Sequence, residues 1–176
     1  MDDRIVPRDF HEQVMAIEIR TVRLEDSGSL TALVQTAPTA AQWSSAQVEE
    51  ILRSETPGVT RRLLFVLEED ENVRGFIVGR VLPPECEVEN IVVEPAKQGR
   101  GFGSLLLKEL LEQARAAGCE HGFLEVRESN QAARRFYEKW GFRESGRRAA
   151  YYENPQEDAV LYACALSRIA SQVVQT

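Results

Sequence analysis

The sequence predicts one domain of the α+β (mixed α/β) class, and three observations predict it. The hydrophobic period switches along the chain between two and about 3.6, in the order β-α-α-β-β-β-α-β-α-β-β. The 176 residues contain no repeat and no long linker, and that length suits a single sizeable core. Near the middle, a Gly-rich loop joins a strand to an amphipathic helix.

The elements follow in order. Residues 1–14 lack periodicity and read as a mobile N-terminal extension; the domain is expected over 15–167 and a polar tail over 168–176. The alternation in 16–22 (AIEIRTV) predicts a strand, after which Asp26 or Ser27 is positioned to cap a short helix ending at Gln35. Beyond a loop at 38–42, Ser44-Ser45-Ala46-Gln47 fits a capping box that opens a helix to about Ser54. Leu63–Glu69 and Arg74–Val81 are β-rich runs separated by Asp70-Glu71-Asn72, a hairpin. Pro83-Pro84 breaks the chain before a strand at Cys86–Val93.

Downstream, the helical spacing of Phe102, Leu106, Leu110 and Ala114 predicts the long helix that Gly118 closes. Residues 122–127 (GFLEVR) form a short strand, and Ser129 or Asn130 caps a helix carrying Ala133, Phe136, Tyr137 and Trp140 that Gly141 stops. Phe142–Arg148 and Asp158–Leu166 are the closing strands, with 151–156 (YYENPQ) as the loop between them.

Composition narrows the function classes. The chain is 43% hydrophobic and 28% charged, which excludes a disordered or collagenous chain. No apolar run reaches the roughly 20 residues of a membrane span, and the polar start is unlike a secretory signal. The three scattered cysteines, Cys86, Cys119 and Cys164, have no metal-ligand spacing, so the expectation is buried thiols in a cytoplasmic protein with no metal. A net charge of −7 argues against broad nucleic-acid binding. Residues 127–148 run the other way, with seven basic side chains against three acidic ones, which points to a small anionic ligand held locally.

The loop Val92-Val93-Glu94-Pro95-Ala96-Lys97-Gln98-Gly99-Arg100-Gly101-Phe102-Gly103-Ser104 supplies such a place. Glycines let backbone N–H groups converge on phosphate oxygens, and the helix start adds its positive dipole end. No Gly-Lys-Ser/Thr follows, so it is not a Walker loop, and its mid-chain position does not fit a dinucleotide fingerprint.

The spelling Gln98-x-x-Gly101-x-Gly103 resembles the pyrophosphate loop of the GNAT N-acetyltransferase superfamily. Residues 124–142 (LEVRESNQAARRFYEKWGF), with Arg147-Arg148, Tyr151-Tyr152 and Glu157-Asp158-Ala159, resemble its ribosomal-protein-alanine N-acetyltransferase (RimI) branch. Around Gln42-Trp43-Ser44, the branch's Pro-Trp segment keeps only the tryptophan and serine. The resemblance covers nearly all of 16–166. It implies a central, mostly antiparallel sheet flanked by helices, with a CoA-binding strand–loop–helix.

It also implies acetyl-CoA as co-substrate. Gly99, Arg100, Gly101, Phe102, Gly103 and Ser104 would hold the pyrophosphate, and Asn130 would contact CoA. Ile91, Val92 and Val93 would pair with the pantetheine arm, where a free N–H polarises the acetyl carbonyl. An N-terminal ammonium has a pKa of about 7.7–8.0, so attack at neutral pH needs a base. The branch's general base falls on Glu125, which shares a strand face with Phe123 and opposes Leu124 and Val126. Its general acid falls on Tyr137. Glu87 and Glu89, alternating on the strand before the loop, remain open as replacements for Glu125 or as attractors of a cationic acceptor.

The resulting expectation is direct acetyl transfer, in a ternary complex, to the N-terminal alanine of a basic protein, ribosomal protein S18. No nucleic acid or membrane partner is expected. A small-amine acetyltransferase on the same fold is the alternative, and a non-catalytic CoA-binding module a third reading.

Overall fold

The computed structural model describes residues 16–37, 40–53 and 61–169. The predicted extension at 1–14 lies outside them, as do Ser54, part of the 38–42 loop and the tail from 170 onward. The strands are β1 (Ile17–Thr21), β2 (Arg61–Glu69), β3 (Asn72–Leu82), β4 (Glu85–Val93), β5 (His121–Arg127), β6 (Arg143–Glu153) and β7 (Gln156–Ala165). The helices are α1 (Ser27–Gln35), α2 (Ser45–Arg53), α3 (Phe102–Ala116), α4 (Gln131–Lys139) and a short α5 (Leu166–Ile169). The predicted order of strands and helices is therefore met, and the tail expected from 168 begins inside α5.

The strands form one sheet in the order β1-β2-β3-β4-β5-β7-β6. Every neighbouring pair is antiparallel except β4 and β5. Parallel neighbours need a long crossover, and α3 is that crossover. It lays Leu106, Leu107, Leu110 and Leu111 against Leu67, Ile77, Val88 and Leu124 on one sheet face. On the other face Leu30, Leu33, Val34 and Val48 of α1 and α2 cover Val66, Phe76, Val78 and Val92. A Cβ on Gly79 of β3 would lie 2.7 Å from Leu110 Cδ1, so glycine there lets α3 sit close to the sheet.

Local chemistry sets the boundaries. Ser44 and Gln47 form the expected reciprocal cap: the Gln47 N–H donates to Ser44 Oγ (3.3 Å) and the Ser44 N–H to Gln47 Oε1 (2.9 Å). Asn130, not Ser129, caps α4, its Oδ1 accepting from the Ala133 N–H at 3.1 Å. At the end of α3, Gly118 has φ +93°, and the Cys119 and Gly118 N–H groups donate to the Ala114 and Arg115 carbonyls. Asp26 does not cap α1. Its carboxylate turns back to the Arg20 guanidinium (2.8 and 2.9 Å) and accepts the Arg23 N–H (2.7 Å).

The closing hairpin differs from its expected boundaries. Tyr151 and Tyr152 belong to β6, because Tyr152 pairs with Glu157 and Glu153 with Gln156, and the turn shrinks to Asn154-Pro155. The three cysteines are buried and free. Burial pushes the Cys86 and Cys164 thiols up to about 12. Among the described residues no helix is long and apolar enough to cross a membrane, and no cluster of His, Cys, Asp or Glu could hold a metal.

Candidate active site

The sheet opens at its centre. Pairing of β4 with β5 runs from Glu85↔His121 to Val88↔Leu124 and stops there. The β3–β4 register shifts between Val78↔Asn90 and Gly79↔Val88, which leaves Glu89 as an extra residue in β4. Beyond that point the strands part, and a cleft of about 1130 Å³ lies between them.

One end of the cleft is the Gly-rich loop. A single 3-10 turn at Pro95–Lys97 follows β4, and Gln98 Nε2 donates back to the Val93 carbonyl at 3.2 Å. Gly99 and Gly101 take left-handed φ values of +77° and +84°, with no heavy atom within 4 Å of where a Cβ would stand. Backbone conformation, not crowding, therefore demands glycine at both. The backbone N–H groups from Gly99 to Ser104 meet no acceptor among the described residues. Orphan donors at a helix start, with room for the backbone to approach a ligand, fit a pyrophosphate.

Not every predicted loop residue lines the cleft. Gly99, Gly101, Phe102, Gly103 and Ser104 do, and so do Ile91, Val92 and Val93 of β4. Arg100 does not: its Nη1 lies 2.7 Å from Glu69 Oε1, and its guanidinium stacks 4.9 Å over the Phe102 ring. Lys97 also pairs with Glu69. The two cations of the loop are thus held by one buried carboxylate. Asn130 reaches the cleft while its Oδ1 serves the helix cap.

The cleft is also lined by the titratable side chains Glu125 and Tyr137. Glu125 projects from β5 on the face opposite the buried Leu124 and Val126, with its side chain 19% exposed. Arg148 Nη1 lies 2.7 Å from its Oε1, and the nearby Glu125 carboxylate raises the Tyr151 phenol pKa. Tyr137 reaches the cleft from α4 and is 5% exposed. Its ring meets Phe136 and Phe142 edge to face at 5.1 and 5.7 Å. Burial lifts its phenol well above the ordinary tyrosine value, so it is a protonated donor across the neutral range. Its helix is fastened to β7 by Tyr162, whose hydroxyl donates to Glu138 (2.7 Å) and accepts from Arg134 Nε (3.2 Å).

Glu87 and Glu89 also line the cleft, each with an arginine. Glu87 pairs with Arg80, and Glu89 Oε2 accepts from Arg62 Nε at 2.7 Å. The basic strip at 127–148 divides in the same way. Arg127, Arg134, Arg147 and Arg148 pair with Glu157, Glu144, Glu128 and Glu125 respectively. Arg135 and Lys139 line the cleft and make no ion pair among the described residues. Glu69 and Arg148 are the participants that sequence reasoning assigned no role. Arg148 carried a faint signal in the Arg147-Arg148 and Tyr151-Tyr152 pairs; Glu69 carried none.

Comparison with known proteins places the chain among acetyltransferases. Residues 29–142 match the acetyltransferase (GNAT) family. The [ribosomal protein bS18]-alanine N-acetyltransferase of Haemophilus influenzae is 42% identical over 109 residues, which is 60% of this chain and 74% of that protein. The crystal structure of the ribosomal-protein-S18-alanine N-acetyltransferase from Escherichia coli superposes with a TM-score of 0.74 at 29% identity, covering 86% of this chain and 94% of that one. The fold recurs at 19% identity in yncA of Salmonella typhimurium, solved with its cofactor acetyl-CoA (TM-score 0.73, covering 86% and 94% of the two chains).

Proposed function

This chain belongs to the acetyltransferase (GNAT) family, and from that premise we propose that it acetylates the α-amino group of a protein N-terminus, the N-terminal alanine of ribosomal protein S18. The N-acetyltransferase activity and the use of acetyl-CoA follow from the family. The acceptor is inferred from relatives named for that reaction, at 42% identity for the Haemophilus influenzae protein. Such an acceptor, and three buried free thiols, support work in the cytoplasm.

The observation that carries the reading is that Glu125 and Tyr137 line one cleft together with a loop whose backbone N–H groups are unpaired among the described residues. Bound acetyl-CoA supplies the acetyl thioester. The N–H groups of Gly99 to Ser104 would hold its pyrophosphate at the helix start, and Asn130, on the same cleft, would contact CoA. The open edge of Ile91–Val93 aligns the pantetheine arm and gives one N–H to the acetyl carbonyl. Glu125 takes the proton of the acceptor ammonium through water, and Tyr137 gives a proton to the leaving sulfur. Thiols raised to about 12 by burial are poor nucleophiles at neutral pH, which supports direct transfer over an acetyl-cysteine route. Glu87 and Glu89, each held by an arginine as Glu125 is by Arg148, then serve as charges that face the cationic acceptor.

Mass spectrometry tests the assignment. The acceptor is a basic peptide with an N-terminal alanine and one internal lysine, with spermidine as competitor. Acetyl groups confined to the alanine nitrogen are expected. Modified spermidine with an untouched peptide would overturn the protein acceptor.

A further inference from the structure

Three polar or charged side chains are buried among the described residues: Asp26, Asn90 and Glu69. Asp26 tethers Arg20, and Asn90 donates to the Ala41 carbonyl at 3.1 Å, so both fasten elements of the scaffold. Glu69 is different, because its main partners come from the phosphate loop. It ends β2 and is 1% exposed. Lys97 pairs with its Oε2, Arg100 Nη1 lies 2.7 Å from its Oε1, and Arg74 Nε lies 3.9 Å away. Arg74 in turn holds Glu94, which opens the loop, at 3.0 Å and accepts the Glu94 N–H on its own carbonyl at 2.8 Å.

A carboxylate removed from water keeps its charge only where cations compensate it. The Lys97 ammonium, foremost, and the Arg100 guanidinium hold Glu69 below the usual carboxylate range. The consequence for the loop is geometric. Its two left-handed glycines have no heavy atom within 4 Å of a notional Cβ, so side-chain packing does not fix the turn there. Gln98 returns to the Val93 carbonyl and Phe102 enters the core, while both cations of the loop grip Glu69.

We propose that Glu69 is the internal counter-ion of the phosphate loop, a positioning residue that draws Lys97 and Arg100 beneath the turn. The backbone N–H groups of Gly99–Ser104 are then left presented to the pyrophosphate. Glu69 touches no ligand, because it does not line the cleft. Its effect on acetyl-CoA passes through the loop alone. The inference rests on the reading of this loop as the pyrophosphate site.

Calorimetric titration of the full chain with CoA and with pantetheine, which lacks the pyrophosphate, tests it. Glu69→Gln is expected to weaken CoA at least tenfold and to leave pantetheine within twofold. Arg100→Ala, at a side chain 41% exposed and off the cleft, is expected to weaken CoA in the same direction and carries the test if Glu69→Gln does not fold. The double variant is expected to be no worse than Glu69→Gln alone, since both break one contact. Unchanged or tighter CoA binding by Glu69→Gln overturns the proposal, as does an equal loss for both ligands. If the parent protein binds CoA no more tightly than pantetheine, the loop assignment itself falls, an outcome separable from the others because it is read without any variant.

Discussion

Arg148 reaches across β7 to place its Nη1 2.7 Å from Glu125 Oε1. A shift in register makes this possible. Arg148 pairs with Ala159 and Tyr152 with Glu157, so three residues of β6 face one residue of β7. Ala150 in that bulge has φ +52°, and its N–H donates to Asp158 Oδ1 at 2.9 Å. The bulge turns Arg148 and Tyr151 toward the same carboxylate. An acceptor ammonium arriving at Glu125 must share or displace a cation already there.

Removing either proposed proton carrier is expected to slow chemistry without loosening the co-substrate. Glu125→Gln and Tyr137→Phe should each lower kcat by about 10²–10⁴-fold, the usual contribution of a positioned acid or base. Acetyl-CoA affinity, followed by calorimetry, should be retained. Retained turnover in Glu125→Gln would move the base to Glu87 or Glu89.

The Arg148–Glu125 contact should contribute little to folding. Arg148 is 54% exposed, and pairs open to water are worth about 0.2–1 kcal/mol. A double-mutant cycle with Arg148→Gln and Glu125→Gln in urea unfolding is expected to give a coupling in that range. A coupling of several kcal/mol would contradict the exposed geometry.

Gly101 is expected to be intolerant of alanine for conformational reasons alone. The left-handed region costs an L-residue about 1–2 kcal/mol, while the space beside Gly101 is open. Gly101→Ala should raise KM for acetyl-CoA severalfold, and Gly101→Asn should be milder because asparagine visits this region more readily. Equal effects of the two substitutions would point to a steric cause.

Acid should weaken the link between β1 and α1. The hydrogen-bonded Arg20 guanidinium holds the Asp26 carboxyl below its ordinary value. A depressed carboxylate stabilises the fold above its unfolded pKa of about 3.9, and the gain is lost as pH falls through the lower folded value. Asp26→Asn is therefore expected to cost about 1.5–3 kcal/mol at pH 7, the worth of hydrogen bonds to a charged group. The gap to the parent protein should narrow below about pH 4 in urea titrations at several pH values.

The fold was legible because each element is written in a local period. The α3 stripe, the capping box at Ser44 and Gln47, and the glycine stop at Gly118 involve neighbours within a turn or two. That Glu125 sits on a strand and Tyr137 on the following helix was legible in the 124–142 string, whereas their proposed roles come from its resemblance to the RimI branch. Glu69 was not legible, because it reads as the polar last residue of a strand before the Asp70-Glu71-Asn72 turn, and its partners stand 28 and 31 positions away. Arg148 was hidden by a bulge that strand alternation does not announce. Asp26 likewise abandoned its local cap for an arginine on another element.

The early end of β4–β5 pairing also divides the molecule by sequence. Strands β1 to β4 all precede residue 94, and β5 to β7 all follow residue 120. Four residue pairs and the side chains of α3 join these two half-sheets. A ligand that hydrogen-bonds along Ile91–Val93 would act as a splint across that seam. At a hundred times its Kd a ligand adds about 2.7 kcal/mol to stability. Its signature in hydrogen exchange would be slowed amides at 91–93 and 99–104, with the far edges β1 and β6 unaltered.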